Sequence, residues 1–102
     1  MRKAKVFNHG IQAGVLTETN ESTYLFDYDE NYNGPPISLT MPLINKHYEY
    51  KKFPAFFDGM LPEGVMLSAL LKAEKIDAND YFSQLLIVGN DLVGSITVKA
   101  MP

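Results

Sequence analysis

The residues with the widest chemical range in this chain are His9 and His47, which suit metal ligation or proton transfer near neutral pH. Neither has an Asp, Glu or His three or four residues away, so neither forms a helical metal pair, and both read as ordinary surface histidines. Asp27, Asp29 and Glu30 concentrate negative charge beside Tyr28 and Tyr32. They lack the alternating oxygen ligands and closing Glu of a calcium loop, so a solvated loop is expected. Ser22, Ser38, Ser68, Ser83 and Ser95 have no nucleophile-elbow context. The glycines are isolated, with no G-x-G-x-x-G or G-K-[ST] run to cradle phosphate. With no cysteine there is no thiolate nucleophile, zinc thiolate site or disulfide framework. The sequence therefore predicts a non-enzymatic chain with no cofactor and no metal.

Bulk composition points the same way. A length of 102 residues suits one domain with a single core spanning residues 1–102, and 46% hydrophobic with 21% charged residues is ordinary for a globular protein. The net charge of −3 and the dispersed Lys and Arg oppose phosphate neutralisation. Tyr24, Tyr28, Tyr48 and Tyr50 leave open a sheet-based nucleic-acid binder, but Asp27, Asp29 and Glu49 lie among them, and direct nucleic-acid binding is not expected. Arg2, Lys3 and Lys5 precede no signal-like apolar run, and no stretch approaches a membrane span. A cytoplasmic location without membrane contact is the expectation.

The first half reads as strands. Lys3–Phe7 alternates, Asn8-His9-Gly10 supplies a tight turn, Ile11–Thr17 follows with Gly14 marking a bulge or close approach, and Thr23–Tyr28 is a third strand. Asp29–Pro36 is a loop. Ile37–Met41 alternates with Ile37, Leu39 and Met41 on one face, predicting another strand, and Pro42 ends it. Leu43–Lys52 is ambiguous between a short edge strand and an ordered loop.

Phe53–Val65 is the pivot, apolar, aromatic and twice interrupted by proline. Pro54 suits the first turn of a short helix ending at Gly59, and Phe53, Phe56 and Phe57 share one face of it, as core anchors would. Pro62 suits the first turn of a second helix running to about Lys75, with Leu61, Val65, Ala69, Ala73 and Ile76 as its stripe and Met66 and Leu70 widening it. Asp77-Ala78-Asn79-Asp80 predicts an N-cap at Asp77 for a third helix carrying Tyr81, Phe82, Leu85, Leu86 and Val88, stopped by Gly89. After an Asn90-Asp91 turn, Leu92–Lys99 is rich in β-branched residues and is expected to return to the N-terminal sheet. The fold class is α+β: a small curled antiparallel sheet of about five strands covered by two or three helices.

Asp58, Gly59, Met60, Leu61, Pro62, Glu63, Gly64, Val65 and Met66 form the candidate partner-binding segment. This connector cannot turn every apolar side chain inward, and an exposed apolar tip marks an interface.

Three ordered blocks carry a family resemblance: Pro36-Ile37-Ser38-Leu39-Thr40-Met41-Pro42-Leu43, Phe56-Phe57-Asp58-Gly59-Met60-Leu61-Pro62-Glu63-Gly64 and Leu85 to Thr97. They resemble the "P-L-S-L-S-L-P-L", "F-F-D-x-L-L-P" and "I-G-x-D-x-V-G-A-V" segments of the N-terminal subdomain of HipA-type kinases, with Met60 standing where that pattern has Leu. In that family the serine/threonine kinase machinery follows this subdomain; nothing here matches it, so no catalytic residue carries over. A chain ending at Pro102 resembles the stand-alone HipS antitoxins of three-component HipBST toxin–antitoxin systems. That resemblance implies a HipT-like kinase toxin as direct partner and a HipB-like DNA-binding protein in a ternary complex. The alternative it leaves is an excised N-terminal subdomain of a longer HipA-type kinase.

Overall fold

The computed structural model describes residues 1–89 and 95–102. The strands are β1 (Arg2–Asn8), β2 (Ile11–Glu18), β3 (Tyr24–Tyr28), β4 (His47–Tyr50) and β5 (Ile96–Ala100). Between β4 and β5 lie α1 (Ala55–Asp58), α2 (Gly64–Glu74) and α3 (Tyr81–Val88). The five strands form one sheet in the order β4-β3-β2-β1-β5, and each neighbouring pair is antiparallel. The last strand does return to the N-terminal sheet, pairing Val98 with Val6. The expected α+β architecture is the one observed.

The β1–β2 turn is set by two residues of positive φ, His9 at 51° and Gly10 at 81°. This mirror-image turn matches the twist of the paired strands, and His is among the non-glycine residues that tolerate the left-handed region. Register slips between Val6, opposite Gly14, and Phe7, opposite Gln12, so Ala13 is the bulged residue. Gly14 also permits a close approach, since a Cβ there would sit 2.2 Å from the Asp27 carbonyl oxygen.

The pleat places Ala4, Val6, Leu16, Tyr24, Phe26, Tyr28, Ile96 and Val98 in the core. Phe57 of α1 and Phe82 and Leu85 of α3 are fully buried against them. Phe26 meets Tyr28 edge-to-face at 4.9 Å, a geometry favoured by the ring quadrupoles.

Three expectations are corrected. Ile37–Met41 is no strand: Ile37 and Met41 are buried but Leu39 is 97% exposed. Its polar residues close local turns instead, with the Thr40 amide donating to Ser38 Oγ (3.1 Å) and the Met41 amide to the Ser38 carbonyl (3.1 Å). The Tyr28 hydroxyl pins both ends, accepting from the Ile37 amide (3.0 Å) and donating to the Met41 carbonyl. The second helix starts at Gly64, not Pro62, and buries no residue. The third is capped by Asp80, whose carboxylate accepts from the Ser83 amide at 3.1 Å, while Asp77 closes a separate turn onto the Asn79 amide at 2.8 Å. Of the final strand expected over Leu92–Lys99, positions 92–94 and the Asn90-Asp91 turn lie outside the described residues; β5 spans Ile96–Ala100.

Candidate interaction surface

The nine residues singled out from the sequence divide in two. Asp58 closes α1 and is exposed, as is Gly59 with an ordinary helical φ of −63°. Met60, Leu61 and Pro62 are half-buried, and Met60 and Leu61 pack against the core. Glu63, Gly64, Val65 and Met66 are exposed. The tip is thus a rooted first half and a solvent-facing second half, with Val65 at 85% and Met66 at 72% exposure. The core anchors divide too: Phe57 is buried, and Phe53 and Phe56 are half-buried at the edge of the cluster.

The exposed half begins at Glu63, beside a change in backbone conformation at Gly64. Glu63 is extended (φ −129°, ψ 163°) and gives α2 no side-chain cap, and Gly64 takes φ +59° with nothing near the position of a Cβ. Glycine takes this left-handed conformation without a Cβ penalty. Along α2, Val65, Met66, Ala69 and Ala73 are exposed and Leu67, Leu70 and Leu71 are half-buried. It ends at Lys75 in the left-handed region (φ 56°), with the Ile76 amide reaching back to the Leu71 carbonyl at 3.3 Å.

Electrostatics are concentrated elsewhere. Arg2 binds Glu18 through Nε (2.8 Å), Ser83 Oγ (2.8 Å) and Asp80 Oδ1 (2.8 Å), and its guanidinium lies 4.9 Å from the Phe82 ring centre. Burial would lower the Arg2 pKa, but hydrogen bonds with Asp80 and Glu18 outweigh it and raise it. Burial likewise pushes Asp80 up, and the bonds from Arg2 and Ser83 prevail and hold it below the usual carboxylate range. On the outer face of the sheet, His47 joins Asp27 through Nδ1 and Glu49 through Nε2 (3.1 Å), and these bonds raise its pKa. Both ring nitrogens are thereby engaged, and among the described residues no three His, Asp or Glu side chains converge as a metal site. No helix among the described residues is long and apolar enough to cross a membrane.

Sequence reasoning missed a second apolar protrusion, Leu39 and Ile44, which are 97% and 89% exposed in the β3–β4 connection. The signal was the Ser38/Thr40 pair, whose hydroxyls compete for the backbone and break the alternation. It also missed the Arg2 cluster, because nothing local links position 2 to positions 18, 80 and 83.

Comparison with known proteins places this geometry. The chain is 28% identical over 99 residues to an uncharacterized protein of Haemophilus influenzae, covering 97% of this chain and 92% of that one. It is 29% identical over 100 residues to the Sinorhizobium fredii protein named "Putative kinase Y4dM", covering 88% of this chain but only 24% of that one. Its fold superposes on a solved structure described as the N-terminal domain of HipA toxin with a TM-score of 0.79 and 27% identity, covering 100% of this chain and 94% of that chain. The family model for the HipA N-terminal domain matches residues 4–99, nearly the whole sheet-and-helix unit, and the chain belongs to the HipA N-terminal domain family.

Proposed function

We propose that this domain is an antitoxin that neutralises a HipT-type serine/threonine kinase by direct protein contact, within a complex that includes a HipB-type DNA-binding protein. The observation that carries the reading is the exposed apolar step at Val65 and Met66, continuous with the core-packed Met60 and Leu61. Large apolar side chains held out into water beside rooted neighbours are characteristic of a binding surface. The fold belongs to a family in which a domain of this kind makes up a quarter of a protein named as a kinase, so a kinase body is the natural counterpart. The domain itself supplies no catalysis and occupies the position a fused subdomain would take. Glu63, exposed beside the step, meets a basic phosphate-binding surface on the partner.

In a longer HipA-type kinase the same surface docks within one chain, and the kinase-length relative favours keeping that reading beside the first. Co-expression with the flanking genes, co-purification and a kinase autophosphorylation assay with and without the domain test the proposal. Co-purification with a kinase and loss of autophosphorylation are expected. Val65→Asp and Met66→Asp are expected to release the kinase while the domain stays folded. A complex that forms equally well with both variants removes the proposed surface.

A further inference from the structure

Resting on the kinase-binding reading above, we infer that α2 is a docking helix that acquires full helical stability only in an apolar groove on the kinase body. Its exposed side, Val65, Met66, Ala69 and Ala73, is the face seated there.

Four observations lead to this. α2 has 11 residues, and helices shorter than about 12–15 residues are marginal in water without tertiary packing. It receives little such packing: none of its residues is fully buried, Leu67, Leu70 and Leu71 are only half-buried, and among the described residues none of its side chains is one of those packed on the core. Its first turn has no side-chain cap and begins at the open, left-handed Gly64. Its polar positions are few: besides Gly64, only Ser68, Lys72 and Glu74 interrupt Val65–Glu74. A helix apolar on both the half-buried Leu67–Leu70–Leu71 side and the exposed side is patterned to be covered.

The occupant follows from the relatives. In the Sinorhizobium fredii protein this domain matches only 24% of the length, so most of a protein named as a kinase is available to cover it. Lys72 and Glu74 cancel in charge, so the contact along α2 is chiefly apolar, and the salt-sensitive part is confined to Glu63 at its start. Helix-in-groove docking is the recognition mode that fits such a surface.

The test uses hydrogen exchange on the full chain, free and bound to the kinase co-purified from the flanking gene. Amides of residues 67–74 are expected to exchange rapidly in the free chain and to slow at least about tenfold when the kinase is bound. Ala69→Glu, at an exposed position, is expected to weaken kinase binding at least about tenfold while leaving the melting temperature unchanged. If the kinase binds but α2 exchange and Ala69→Glu affinity are unchanged, the docking helix is wrong and the antitoxin reading stands. If no kinase binds, both fall. Concentration-dependent protection of α2 in the free chain would assign the face to a second copy and overturn the inference.

Discussion

α3 buries Phe82, Gln84 and Leu85 and is tied at its first turn to the sheet, whereas α2, also rich in Leu and other apolar residues, buries nothing. The difference lies at their N-termini. Asp80 caps α3 and is held by Arg2 from β1, so helix and sheet are fixed relative to each other before any apolar contact is counted. α2 follows an uncapped Glu63 and a left-handed Gly64, with no such tie to the sheet among the described residues. Apolar composition alone does not decide which segment is buried: α3 combines it with an anchored first turn, and α2 does not. The unanchored helix is the one proposed above to dock on a partner.

Truncation separates the two helices most sharply. Phe82→Ala removes a fully buried ring and is expected to cost about 3–5 kcal/mol, whereas Met66→Ala is expected to change stability by less than about 0.5 kcal/mol. Urea unfolding of both variants measures the contrast. A large loss from Met66→Ala would mean that α2 belongs to the folded core and would end the comparison.

The anchors provide a second, smaller contrast. Asp80→Ala is expected to cost about 1–2 kcal/mol through the lost cap, while Glu63→Ala, with no cap bond to lose, changes little. Asp80→Asn keeps a capping oxygen and removes the charge, isolating the link to Arg2. The folded pKa of Asp80 lies below its ordinary 3.8, so the carboxylate stabilises the fold above that value and its contribution is lost as pH falls through the depressed one. The stability gap between the wild type and Asp80→Asn is therefore expected to be flat near neutral pH and to close below about pH 4. A gap that persists unchanged in acid would mean that the Arg2–Asp80 contact is not electrostatic.

Most of the sheet was legible because its signals are local. Alternation, the His9-Gly10 turn and the Gly14 interruption each act within a few residues, and the β-branched run around Ile96 to Val98 marks the returning strand. The three helices were legible too, and only their starts and caps shifted where the outcome depended on distant groups. The 3.6-residue period over Leu61–Ile76 is real, but periodicity reports that a face is apolar, not that anything in this chain covers it. The Asp77-to-Asp80 spacing pointed to a cap at Asp77, but Asp80, held by Arg2 from far away in sequence, caps the helix instead. Ile37–Met41 failed because the Tyr28 hydroxyl and the Ser38 turn supply its hydrogen bonds without a partner strand. The candidate segment 58–66 was chosen on its composition, which does not show that its solvent-facing second half begins only at Glu63.

The smallest expected effect belongs to His47, an ion pair at the sheet surface with no role in anchoring either helix. It is exposed, and hydrogen bonds with Asp27 and then Glu49 raise its pKa above the ordinary 6.5. A raised value means that the folded state holds the proton more tightly than the unfolded chain. Its contribution is then complete below about pH 6.5 and disappears as pH rises through the folded pKa. The wild type is accordingly expected to lose a small stability advantage over His47→Gln across that window, with the imidazole titrating late by NMR. Added salt should shrink both effects, because water and ions reach every partner. The same salt should alter the Arg2–Asp80 link less, since those side chains are partly buried and share the Ser83 hydroxyl. Equal salt sensitivity would place Asp80 with His47 among surface pairs and leave the cap, rather than Arg2, as the anchor that distinguishes α3 from α2.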